Sequence, residues 1–134
     1  MKFNCTLLVD DDSTSNMISE RVLNKIQLTN TIQVTWNGRE AIDYIHDSLN
    51  EDNEQGKPWP DLILLDINMP EMNGFEFLDE YLKVDTHGKV IKIVMLTSSI
   101  DRNDIETSKQ YPIHGYITKP LTPEKLQNAV NDLI

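Results

Sequence analysis

Apolar positions along this chain follow two rhythms. Short unbroken runs of large apolar residues alternate with stretches in which apolar residues recur every three or four positions. The most continuous run is Leu62-Ile63-Leu64-Leu65, and it leads straight into Asp66. A strand with no polar alternation is buried on both faces, as in the middle of a parallel sheet covered by helices. Cys5-Thr6-Leu7-Leu8-Val9 ends in Asp10-Asp11-Asp12, and the run over residues 90–96 ends in Thr97-Ser98-Ser99. Residues 31–36 alternate instead, as a half-buried edge strand does. Residues 113–118 form a last short strand and lead into Lys119-Pro120.

The intervening stretches have helical spacing. Asp12 or Ser13 caps a first helix whose core stripe is Met17, Ile18, Val22, Leu23 and Ile26. Asn37 followed by Glu40 resembles a capping box, and Ala41, Ile42, Ile45 and Leu49 form the second stripe. Phe77, Leu78, Tyr81 and Leu82 mark a third helix. Residues 101–110 are expected to be helical with Ile105 as the one large apolar residue, so packing holds that helix weakly. Thr122-Pro123-Glu124 starts a fifth helix with the stripe Leu126, Ala129, Val130, Leu133 and Ile134. Residues 50–60 are polar, acidic and closed by two prolines. They predict a solvent loop in which Trp59 anchors the loop to the body. Five strands alternating with five helices imply a parallel sheet with right-handed crossovers and helices on both faces.

Composition narrows the function. The length of 134 residues suits a single domain, residues 1–134, with a real core. Twelve basic against twenty-two acidic side chains leave a net charge of −10. That argues against a nucleic-acid surface, which needs a basic patch. No apolar run approaches the ~20 residues of a membrane span, and the start carries no signal-peptide pattern. Cys5 is the sole cysteine, which fits a reducing compartment and a cytoplasmic protein. Neither GxGxxG nor GxxxxGK[ST] occurs, so no nucleotide site is indicated.

The polar groups that end the strands carry the chemistry. Parallel strands bring Asp10, Asp11, Asp66, Thr97 and Lys119 to one edge of the sheet, where ligands bind in open α/β folds. Three clustered carboxylates repel one another unless one protonates or a cation neutralises them. Oxygen ligands without His or Cys favour Mg²⁺ over zinc. A carboxylate in such a site can attack phosphorus and form an acyl phosphate. Lys119 then balances charge on the transferring group, and Thr97 donates a hydrogen bond to a phosphate oxygen.

Val9-Asp10-Asp11-Asp12, Asp66 through Gly74, Leu96-Thr97-Ser98 and Gly115 through Pro120 occur together in one order and spacing. On these motifs the chain closely resembles the response-regulator receiver domain of two-component signalling, the CheY-like family. The resemblance implies a flavodoxin-like (βα)5 fold with strand order 2-1-3-4-5. It implies that Asp66 is the phosphoacceptor. It further implies that Asp11 binds Mg²⁺ directly, Asp10 largely through water, and Asn68 through its backbone carbonyl. Lys119 would pair with the phosphate, with a cis bond to Pro120. Thr97 and Tyr116 would form the switch, and Asn68 and Ser99 would tune the lifetime of the phosphate. The implied partners are a sensor histidine kinase or a histidine phosphotransfer protein. A downstream protein would bind the face made by helix 4, strand 5 and helix 5. Such a domain catalyses only its own phosphorylation and dephosphorylation. Leu121 departs from the Phe common in the family at that place. The competing function is a metal-dependent phosphohydrolase of the haloacid dehalogenase type. That chemistry needs a second carboxylate two residues after the nucleophile, where this chain has Asn68.

Overall fold

Alternation of side chains across a buried sheet dictates two separate cores, and the computed structural model has both. It describes residues 2–50, 56–98 and 102–133. The strands are β1 (Phe3–Val9), β2 (Thr29–Thr35), β3 (Leu62–Asp66), β4 (Lys92–Thr97) and β5 (Gly115–Thr118). The helices are α1 (Ser13–Lys25), α2 (Gly38–Leu49), α3 (Gly74–Tyr81), α4 (Arg102–Ser108) and α5 (Pro123–Asn131). All pairings are parallel, in the order β2-β1-β3-β4-β5. Leu7, Val9, Ile63, Leu65, Ile93 and Met95 point to one face, where Ala41, Ile42, Ile45, Phe77 and Leu78 of α2 and α3 cover them. Leu8, Leu62, Leu64, Val94 and Leu96 point to the other, under Val22 and Leu23 of α1 and Leu126 and Val130 of α5. A strand whose neighbours in sequence serve opposite cores has no polar position to spare, which is why β3 reads as a continuous apolar run.

Register sets the site. Val9 lies beside Leu65, Asp66 beside Leu96, and Thr97 beside Thr118. The strands therefore finish nearly level, and the residues that follow them share one edge. The opposite edge is fastened by Asp61, whose carboxylate accepts the backbone N–H groups of Asn4 at 2.8 Å and Cys5 at 2.9 Å.

Caps fall where short polar side chains precede helices. Asp12 accepts the Thr14 N–H and caps α1, and Asn37 accepts the Glu40 N–H and caps α2. The reciprocal capping box is at α3, where Asn73 and Glu76 satisfy each other's backbone N–H groups. Thr122 caps α5 with Pro123 in the first turn.

Four sequence expectations are corrected. Met17 is 49% exposed and not part of the α1 stripe; Asn16 and Ser19 are buried beside Val22 and Leu23 instead. The reason is that Asn16 spends its amide on the Asp10 carbonyl at the sheet edge, so the stripe of Val22 and Leu23 continues through Ser19 to Asn16 and leaves Met17 outside. Leu82 caps the end of α3 and is exposed, because the helix stops at Tyr81. Val90 stands outside β4, which starts only at Lys92, and is exposed. Trp36 lies past the end of β2 and is likewise exposed. Ile134, assigned to the last stripe, and Asp101, at the start of the expected fourth helix, lie outside the described residues. So do residues 51–55 of the expected loop. The rest of that loop is anchored as expected. Trp59 Nε1 donates to the Val90 carbonyl at 3.2 Å, and the Tyr44 hydroxyl donates to the Pro58 carbonyl at 2.8 Å.

Candidate functional site

Burial is expensive for a carboxylate, so where buried carboxylates gather the surroundings must offset the cost. Carboxylate oxygens of Asp10, Asp11 and Asp66 all lie within 4.8 Å of one another at the sheet edge. Asp10 and Asp66 are buried and Asp11 is exposed. Lys119 reaches this group from the loop after β5. Its ammonium is 2.7 Å from Asp10 Oδ2 and 3.6 Å from Asp66 Oδ1. The Asp12 N–H donates to Asp10 Oδ1 at 3.0 Å, and the Asn68 N–H points to Asp66 Oδ1 at 3.4 Å. These contacts leave the set short of positive charge, with three carboxylates against one ammonium.

Asp66 registers that imbalance. Burial first, and then the neighbouring Asp10, push its carboxyl up to about 6, against the opposing pull of Lys119. A group held there gains from any added cation. An oxygen-only donor set with one exposed and two buried carboxylates fits a hard divalent ion such as Mg²⁺, which keeps several waters. Soft ligands are absent from this cluster: no His or Cys belongs to it.

Local packing explains why Asp66 is held so closely. Gly74 opens α3 directly against the end of β3. A Cβ there would stand 2.6 Å from the Asp66 carbonyl oxygen and 3.0 Å from Ile67 Cα. Only a residue without a side chain lets the helix start that near the Asp66 backbone.

Other sequence-predicted residues fall as follows. Thr97 ends β4, fully buried, one position beyond the pair Asp66–Leu96. Its carbonyl accepts the Lys119 N–H at 2.6 Å, so it also fixes the loop that carries the lysine. Tyr116 is half-buried on β5 beside Met95 and packs against the core under α2 and α3. Asn68 is exposed. The Lys119-Pro120 bond is cis. Ser99 lies outside the described residues. Asp12 is a helix cap and does not belong to the carboxylate cluster.

Asn16 was not anticipated. Its side chain is buried and donates to the Asp10 carbonyl at 3.0 Å, which orients the loop bearing Asp10 and Asp11. A polar residue three positions before the buried Ser19 and six before Val22 is the signal that could have exposed it. An apolar-only search for the stripe overlooks such a residue.

Comparisons with known proteins bear on the family and the fold. A family model described as "Response regulator receiver domain" matches residues 6–131. The chain is 28% identical over 128 residues to a chemotaxis protein CheY homolog of Campylobacter jejuni, covering 96% of this chain and 90% of that one. Among solved structures, a two-component response regulator from Cytophaga hutchinsonii superposes with a TM-score of 0.83 at 29% identity, covering 99% of this chain and 98% of that one. The receiver domain of the histidine kinase CKI1 from Arabidopsis thaliana, solved with Mg²⁺ and BeF₃⁻, shares the fold. Its TM-score is 0.79 at 24% identity, covering 96% of this chain and 90% of that one.

Proposed function

The chain belongs to the response regulator receiver domain family, and on that premise we propose that it takes a phosphoryl group on Asp66 and signals through a phosphorylation-dependent protein contact. One observation carries the reading. Asp66 is a buried carboxylate within 4.8 Å of two others, with a lysine ammonium 3.6 Å away. No structural need accounts for so costly a group at a sheet edge.

The chemistry follows from the residues. An Asp66 carboxylate oxygen attacks phosphorus and forms a C–O–P link. The P–N bond to a phosphohistidine breaks, and its electron pair leaves with the imidazole nitrogen, which takes up a proton. Lys119 pairs with an oxygen of the transferred group and lies close enough to shift from Asp10 to do so. Mg²⁺ held by Asp10, Asp11, Asp66 and the Asn68 carbonyl would supply further positive charge for the phosphoryl oxygens. Water later attacks phosphorus and restores the carboxylate. By the family resemblance Asn68 and Ser99 tune that step, and since neither side chain is a strong base the phosphate is long-lived. No separate substrate is turned over. A histidine kinase or histidine phosphotransfer protein serves as donor. Residues 1–134 act as a single receiver domain in the cytoplasm. Among the described residues, no helix is long and apolar enough to cross a membrane.

Incubation with acetyl phosphate and Mg²⁺ tests the reading. Intact-mass measurement is expected to show one added phosphoryl group, absent from Asp66→Asn and after chelation. Equal labelling of Asp66→Asn overturns the assignment. The phosphohydrolase alternative finds no support in the residue it requires, since Asn68 brings an amide where that chemistry needs a carboxylate.

A further inference from the structure

A lysine in the first turn of a helix is out of place electrostatically, since the positive end of the helix dipole repels it. Lys125 occupies that position in α5, three residues after its cap Thr122. The Thr122 side chain accepts the Lys125 backbone N–H at 3.2 Å and so sets the direction in which the lysine leaves the helix. The chain then curls back over the preceding loop. Its ammonium donates to the Thr118 carbonyl at 3.0 Å and to the Pro120 carbonyl at 3.1 Å. Those two carbonyls stand immediately on either side of Lys119. Charge-assisted hydrogen bonds are roughly twice as strong as neutral ones, and two of them offset the unfavourable place on the helix.

Lys119 needs such a hold. Its backbone N–H is tied to Thr97, and its ammonium spans two carboxylates at 2.7 and 3.6 Å. Leu121, next along, is buried in the core under α1 and α5, which anchors the far end of the loop but not its peptide planes. We propose that Lys125 is a positioning residue for phosphoryl transfer, holding Lys119 over Asp66 by clamping the carbonyls of Thr118 and Pro120. The inference rests on the proposed phosphorylation of Asp66. It also gives the outer surface of α5 a direct line to the site. Lys125 borders a shallow depression of about 390 Å³ with Tyr116, Ile117 and Asn128. An acidic group of a partner seated there competes with the two carbonyls for the same ammonium.

The test compares Lys125→Met, which keeps the aliphatic stem, with Lys125→Arg, which keeps a charged donor. Acetyl phosphate labelling is followed by intact mass, Mg²⁺ affinity by calorimetry, and the Lys119 amide by hydrogen exchange. Misplacement of a catalytic group by about an ångström costs up to ~10²-fold in rate. Lys125→Met is expected to slow labelling roughly tenfold at unchanged Mg²⁺ affinity and to speed exchange at the Lys119 amide. Lys125→Arg is expected to restore most of both. Wild-type labelling rates in Lys125→Met overturn the proposal. So does a parallel loss of Mg²⁺ affinity, which marks a general structural role, or an Arg variant as slow as the Met variant. If the wild type takes no phosphate on Asp66, the function proposed above fails instead. The Lys119 amide then still reports on the clamp, and unchanged exchange in Lys125→Met refutes it.

Discussion

Thr6 buries its hydroxyl in the middle of β1 with no hydrogen-bond partner among the described residues. A buried polar atom left unpaired costs about 1–3 kcal/mol, while an apolar group of the same shape avoids that cost. Thr6→Val is therefore expected to stabilise the domain by about 1 kcal/mol, read as a higher urea midpoint at unchanged slope. A lower midpoint refutes this account of Thr6. Asp66 makes the opposite case, a polar group whose cost is tied to its use. Its carboxyl is raised by burial and by Asp10 to about 6 without a bound cation. A folded pKa above the unfolded value means that the native state binds the extra proton. The stability this group contributes is full below about pH 4 and is lost as pH rises through about 6. In chelator, the stability gap between the wild type and Asp66→Asn is expected to change across that window in favour of the mutant. Saturating Mg²⁺ is expected to flatten the change. A gap independent of pH in chelator overturns the argument.

At the scale of elements, the strands and helices were legible because each has one rhythm and one buried face or stripe. The strand ends of β1, β3 and β4 could be read because an apolar run cannot continue through a carboxylate or a hydroxyl. What escaped reading was the use of polar groups as structure. Asn16 displaced Met17 from the expected stripe because a side chain–carbonyl bond, not apolar area, orients that turn of α1. The start of β5 escaped for a similar reason. His114 donates its backbone N–H to the Ile93 carbonyl at 2.7 Å, and its Nδ1 accepts the Ile93 N–H at 3.1 Å. An imidazole thus stands where the ladder would otherwise take a backbone carbonyl. Partial burial, and then Lys92, hold this imidazole below the usual histidine range. Its folded pKa lies under the unfolded value, so the contact stabilises above ordinary histidine pKa and is lost as pH falls through the lowered one. Exchange at the Ile93 amide, corrected for its intrinsic pH dependence, is expected to be faster at pH 5 than at pH 7.5. His114→Ala is expected to abolish that difference. Equal protection at both pH values in the wild type refutes it.

At the scale of the molecule, the convergence of Asp10, Asp11, Asp66, Thr97 and Lys119 was legible from topology alone. The distances that make it a site were not. Whether Lys119 rests on Asp10 or Asp66 depends on loop paths that no spacing specifies. Signal output is a property of the same scale. On the proposed function, phosphate on Asp66 would offer the buried Thr97 hydroxyl a charge-assisted hydrogen bond, and the inward pull would vacate space beside β5 for Tyr116. The helix alongside is easily displaced, since among its described residues Ser108 alone is buried. A few kcal/mol between the two arrangements suffices to shift the population. Thr97→Ala is expected to accept phosphate yet lose the phosphate-dependent amide shifts across α4, β5 and α5. Unaltered shifts in that variant, or shifts confined to residues 56–60, overturn this route of signalling.

The pairing of Lys119 with Asp10 joins residues 109 positions apart. A chain emerging from the ribosome exposes Asp66 long before Lys119, and β3 has no β4 to lie against until residue 97 is out. Competence therefore arrives with the last strand and helix, not by degrees. If Asp66 accepts phosphate as proposed, a half-made chain has Asp66 but cannot intercept phosphate meant for finished copies. Ribosome-stalled chains ending near residue 110 are expected to stay unlabelled by acetyl phosphate, while released full-length chains label. Stalled chains that label as well would mean that the lysine is dispensable and that synthesis does not guard the signal.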